Sequence, residues 1–70
     1  MRNSSLVRVL CLIESLKHKR ATLQSLADEF NVSTRTIRRD LEALSLAGVP
    51  VRTTADAYAN GINGFWWIER

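Results

Sequence analysis

The chain has 70 residues, 46% of them hydrophobic, and carries ten Lys or Arg against seven Asp or Glu for a net charge of +3. That length fits one small domain spanning 1–70, and the apolar content is too high for a disordered segment. A single cysteine, Cys11, excludes an internal disulfide and a multi-cysteine metal site, and the longest apolar run, 9–13, falls far short of the roughly 20 residues a membrane helix needs.

Leu6, Val9, Leu10, Ile13 and Leu16 recur at helical spacing and predict a first helix over 4–18. Asn3, Ser4 or Ser5 can cap its start, and Lys17, His18, Lys19 and Arg20 put positive charge at its end, where the helix dipole favours it. Val7, Cys11 and Leu12 lie partly outside that stripe; they either widen the buried face or form a seam with a second copy. The basic residue and apolar stretch at the N-terminus faintly suggest a secretion signal. Arg8 and Glu14 interrupt it and no small-residue cleavage site follows, so the expected location is the cytoplasm, with which a free thiol agrees.

Ala21 and Thr22 read as a short connection, with Thr22 the N-cap of a second helix over 23–30 whose inner face is Leu23, Leu26, Ala27 and Phe30. Asn31 tolerates the left-handed conformation that ends such a helix. Ser33 then caps a third helix over 34–47, with Val32 before the cap and Ile37 at the fourth helical position forming a hydrophobic staple. Ile37, Leu41 and Leu44 form its inner stripe; Gly48 stops it and Pro50 bars continuation.

Beyond Pro50 the pattern changes to strands over 50–54 and 64–69, joined by the glycine-containing ADAYANGING with its Asn60-Gly61 turn signal. In the last strand Phe65 and Trp67 share one face, Trp66 and Ile68 the other. Alternation alone does not choose between them. Phe65 and Trp67 are expected inward, because Glu69 then lies near the frayed end within reach of water. That leaves Trp66 outside, and Val7, Cys11, Leu12 and Trp66 become the expected contacts of a homodimer. The fold class is therefore mainly α with a small β-hairpin: a winged helix-turn-helix, with a three-helix core and a C-terminal wing. The three or four residues between helices two and three match the turn of that motif.

The third helix poses an electrostatic conflict. Its first half carries Arg35, Arg38 and Arg39 and no acid before Asp40, although cations are disfavoured at the positive end of a helix by about 0.3–1 kcal/mol each. Arg35 and Arg39 are four apart and point away from Ile37, Leu41 and Leu44; Thr36 and Arg38 flank them, and Ser33 and Thr34 add hydroxyls. Phosphates close to this face would reverse the sign of the penalty, and arginine also reads guanine edges in the major groove, which admits a helix. The expected contacts with double-stranded DNA are thus Ser33, Thr34, Arg35, Thr36, Arg38 and Arg39, with Arg52, Thr53, Asn60 and Asn63 of the wing as additional backbone contacts. The bland alternative is a solvated face with weak surface pairs such as Arg38 with Glu42.

The segment LQSLADEFNVSTRTIRRDLEALSLAGVPV, with TIRRDL set at its distance from LADEF, resembles the N-terminal winged helix-turn-helix of DeoR-type and WYL-domain bacterial transcription regulators. The resemblance covers about 5–54 and implies that residues 34–39 enter the major groove while the hairpin lies near the minor groove or backbone. It also implies a regulator of transcription, a repressor in the first instance. Two features depart from it: such regulators usually continue into a ligand-sensing domain, and this wing loop carries Asp56 with no lysine or arginine.

Enzyme chemistry finds no support. His18 is a lone surface side chain in a basic stretch, Cys11 is expected to be a buried, inert thiol, and the acids form no local pair; Asp40, near the edge of the buried stripe, is expected to pair with a cation. No cofactor, metal or small-molecule site is expected. The rival reading is a winged helix used to bind another protein, since fold does not determine function.

Overall fold

The computed structural model describes residues 4–54 and 64–69. The elements, in chain order, are α1 (Ser4–His18), β1 (Ala21–Thr22), α2 (Leu23–Phe30), α3 (Thr34–Leu46), β2 (Val51–Thr53) and β3 (Phe65–Ile68). Three helices and a small antiparallel sheet, in this order, make a winged helix-turn-helix. None of the described helices is long and apolar enough to cross a membrane.

The caps explain where the two central helices begin and end. Thr22 has extended backbone and its hydroxyl accepts from the Ser25 N–H at 3.1 Å, which starts α2. Asn31 sits in the left-handed region at φ 58°, ψ 47°, and the Val32 N–H donates back to the Ala27 carbonyl at 3.0 Å. That closes α2 and delivers Val32 to the core in the same turn. Ser33 starts α3 by accepting from the Thr36 N–H at 3.1 Å. Gly48, at φ 98°, ends it: its N–H donates to the Ser45 carbonyl and that of Val49 to the Leu44 carbonyl. The turn between α2 and α3 is therefore fixed on both sides by residues whose side chains or backbone preferences favour it.

The core gathers Leu12 and Leu16 of α1, Leu23 and Leu26 of α2, and Ile37 and Leu41 of α3, all fully buried, with Leu44, Trp66 and Ile68 completing it. Each such side chain contributes about 1.5–3 kcal/mol by leaving water.

Several expectations are corrected. The connection at Ala21 and Thr22 is a strand: β1 pairs antiparallel with β3 through Ala21 opposite Trp66 and Thr22 opposite Phe65. The sheet therefore has three strands in the order β1-β3-β2, with the last strand in the middle rather than at the edge of a lone hairpin. The facing of β3 is also reversed. Trp66 and Ile68 are 4% and 5% exposed, while Phe65 is 48% exposed. The register gives the reason: Trp67 stands opposite Arg52, whose charge must reach water, and Trp66 opposite the small Ala21, which leaves room for an indole.

On α1, Leu12 is fully buried, and with Trp66 also inside, neither is a surface contact for a second copy. Leu6, Val7 and Leu10 are instead 58%, 56% and 57% exposed. Cys11, expected inside, is exposed. Two neighbouring apolar stripes run along this helix, and the bundle takes the side that buries Leu12 and Leu16 with Val9 and Ile13 packed against them.

Candidate nucleic-acid interface

α3 presents its two faces as its periodicity dictates. Ile37, Leu41 and Leu44 are buried, and Arg35 and Arg39 are exposed on the opposite side. Neither arginine has an ion-pair partner among the described residues, and the first turn of α3 holds no acid. Arg38 lies at the flank with its Nε 3.4 Å from Glu42 Oε2, one turn further on. Thr34 and Thr36 are half-buried beside the start of the helix. The Ser33 hydroxyl is engaged in the cap and also lies 3.1 Å from Thr36 Oγ1, so these two hydroxyls hold the helix end together before they can serve anything else.

The face is locked in place from behind. Arg8 of α1 donates from Nε to Asp40 Oδ2 at 2.6 Å and from a terminal nitrogen to Oδ1 at 3.4 Å. Both side chains are 15% exposed, so this forked pair is shielded from solvent and joins α1 to the middle of α3. The hydrogen bond to Asp40 raises the Arg8 pKa; burial opposes the shift and Coulomb attraction adds to it. A raised value for a cation contributes stability that is complete below the unfolded-state value and is lost only as pH climbs through the folded one, so Arg8 is fully charged at neutral pH.

Sequence reasoning anticipated a cation beside Asp40 but did not identify Arg8. The available signal was Arg8 itself, a charge interrupting the apolar stretch of α1. Pairing it with a residue 32 positions away required the fold.

Removing one partner strands the other, whereas replacing both by apolar groups of similar size does not. Asp40→Ala and Arg8→Met are each expected to lower unfolding free energy by about 1–3 kcal/mol, and the double variant by less than their sum. Urea unfolding of the four proteins measures the coupling. Strict additivity would mean that the pair does not join the two helices energetically.

In the wing, Arg52 is exposed and its Nε lies 3.5 Å from Glu69 Oε1; Thr53 is half-buried on β2. Asn60 and Asn63, the remaining expected wing contacts, lie outside the described residues, as does Asp56. His18 is exposed and its Nε2 is 2.9 Å from Glu14 Oε2. No group of three or more His, Cys, Asp or Glu among the described residues could hold a metal ion. The structure thus brings Ser33, Thr34, Arg35, Thr36, Arg38 and Arg39 to the surface at the start of α3, around the buried Ile37, and leaves Arg52 and Thr53 on a separate element.

Residues 8–59 match the family model described as an HTH domain. No curated protein and no solved structure matches the chain.

Proposed function

The chain belongs to the HTH domain family, its match covering most of its length, and from that premise we propose that it binds double-stranded DNA in a sequence-specific manner as a transcription regulator. In this reading α3 enters the major groove, Arg35 and Arg39 reach base edges, and Thr34, Thr36, Arg38 and the capped end at Ser33 meet the phosphate backbone. Arg52 and Thr53 approach the backbone from the wing. The single observation that carries the reading is the pair Arg35, in the first turn of α3, and Arg39, one turn further on, exposed on one face with no ion-pair partner among the described residues; the cation in the first turn costs stability unless an anion faces it. We further propose that the protein acts in the cytoplasm as a repressor of the DeoR or WYL kind.

One domain of this size covers few base pairs, so useful specificity calls for two copies or a second domain. We place the contact between two copies on α1, where Val7 and Cys11 lie beside Leu6 and Leu10 on an exposed apolar stripe. Sedimentation as a monomer at high micromolar concentration would remove that contact. The protein-binding alternative draws on the same stripe.

Salt titration of duplex binding separates the readings. Phosphate contacts release counterions, so log affinity should fall linearly with log salt, with a slope of about −0.9 per phosphate neutralised. A slope near zero, or no footprint on any duplex in a selection from random sequence, would remove the DNA reading.

A further inference from the structure

We propose that the outward face of the sheet is a second binding surface, one that takes the bases and phosphates of single-stranded nucleic acid. It uses none of the α3 side chains assigned to duplex DNA and shares only Arg52 of the wing with that reading. The inner face of β3 is occupied by the core contacts of Trp66 and Ile68. The outer face carries Phe65, 48% exposed, and Trp67, half-buried. Continuing the β1 register by one residue sets Arg20 opposite Trp67, and its guanidinium stacks over the indole at 4.1 Å from the ring centroid. Arg52 stands opposite Trp67 on the other side. Trp67 is thus flanked across the sheet by two arginines, with a second aromatic ring two residues along the same strand.

At the Trp67 end the face opens into a cleft of about 300 Å³ lined by Lys17, His18, Lys19, Arg20, Trp67 and Glu69, with core residues Leu16 and Ile68 beneath. Glu69 is the one acid on its wall and faces Arg52; just outside it, Glu29 lies 3.9 Å from Lys19 and Glu14 2.9 Å from His18, exposed pairs that a phosphate can replace. An apolar, aromatic floor under a cationic rim suits a ligand that is flat and apolar on one side and anionic on the other. A nucleotide in a single strand has that character.

The spacing agrees. At about 3.3 Å per residue the Phe65 and Trp67 positions emerge roughly 7 Å apart, so one base can stack on Phe65 and the next on the Arg20 guanidinium that covers the Trp67 indole. Stacking on aromatic rings and on the plane of an arginine is open only to unstacked bases, and it tolerates any sequence. A duplex keeps its bases internal and offers this face nothing but phosphate. An acidic peptide would meet the cations and leave the two ring faces without a role.

The test measures fluorescence anisotropy of a labelled oligothymidylate of about twelve nucleotides, within the site size one small domain covers. An abasic oligomer of equal charge serves as the control. The full chain should bind the thymidylate about tenfold or more tightly than the abasic oligomer. Phe65→Ala should lose about tenfold in that affinity, as should Trp67→Ala. Phe65 is exposed, so its truncation leaves the fold intact should Trp67→Ala not.

Duplex binding should be unchanged in Phe65→Ala, and single-strand binding unchanged in Arg35→Ala, Arg39→Ala. The two surfaces therefore fail separately. Equal affinity for the abasic oligomer, unchanged binding by folded Phe65→Ala, or loss of single-strand binding on replacing Arg35 and Arg39 would each overturn the proposal. So would displacement by polyglutamate as effective as by thymidylate, which would point to an acidic polypeptide.

Discussion

Trp66→Ala should cost about 3–5 kcal/mol of stability, the usual price of truncating a fully enclosed aromatic side chain. A domain of this size has only about 4–10 kcal/mol in total, so the variant should be largely unfolded or melt near room temperature. Trp66 is 4% exposed, lies between Ala21 and Thr53 in the sheet, and closes the core against the helices. Its indole nitrogen is buried with no hydrogen-bond partner among the described residues, an arrangement that detracts from its contribution. Trp66→Phe removes that donor while keeping most of the apolar volume, and should be far milder. Trp67→Ala should cost less than half as much as Trp66→Ala, because Trp67 is half-buried and its Arg20 stack is worth only about 0.5–1 kcal/mol. Circular dichroism in urea ranks the three variants; a larger loss for Trp67→Ala than for Trp66→Ala would contradict the facing of β3.

The second large effect concerns binding rather than folding. Arg35→Ala and Arg39→Ala should each weaken a specific duplex complex by about 1–3 kcal/mol, and together by about 2–6 kcal/mol, with specificity relaxed at the bases they face. Without DNA the same double variant should be as stable as the parent or a few tenths of a kcal/mol more so, because Arg35 opposes the dipole in the first turn of α3 and Arg39 has no ion-pair partner to lose among the described residues. The opposite signs make the experiment informative. Intact affinity in a folded double variant would exclude the α3 interface. A stability loss above about 1 kcal/mol would identify the arginines as structural ion-pair partners instead.

The helices were legible because local chemistry specifies them. Thr22, Asn31, Ser33 and Gly48 are each suited to the cap or stop they form, and Ile37, Leu41 and Leu44 leave α3 only one inward face. The outward direction of Arg35 and Arg39 followed from the same periodicity. What could not be read were matters of partnership between distant segments. Period two in FWWI offers two equally apolar faces, and only pairing with Ala21 and Arg52 decides between them. Two residues such as Ala21 and Thr22 are too few to show a strand pattern at all. On α1 the adjoining stripes are both apolar, so Leu12 rather than Leu10 goes inside because of where β3 and Asp40 lie. Period two also puts Glu69 on the face of Phe65 and Trp67, so its need for water favours that face outward, the reverse of the facing expected from it; it lies exposed, 3.5 Å from Arg52.

The place of β3 between β1 and β2 has a consequence for how the chain reaches its native state. The strand nearest the C-terminus is the one both others pair with, and its β1 partner lies before the first turn of α2. The helices can form on their local caps, but no strand of this sheet can pair until β3 is available to it. The pairing of β3 with β1 and its packing on α1 join distant segments, and contacts of that kind form more slowly than the local ones of the helices. Without β3 in place, Leu12 and Leu16 would lack the cover that Trp66 and Ile68 supply, so the helices depend on the sheet to close their core.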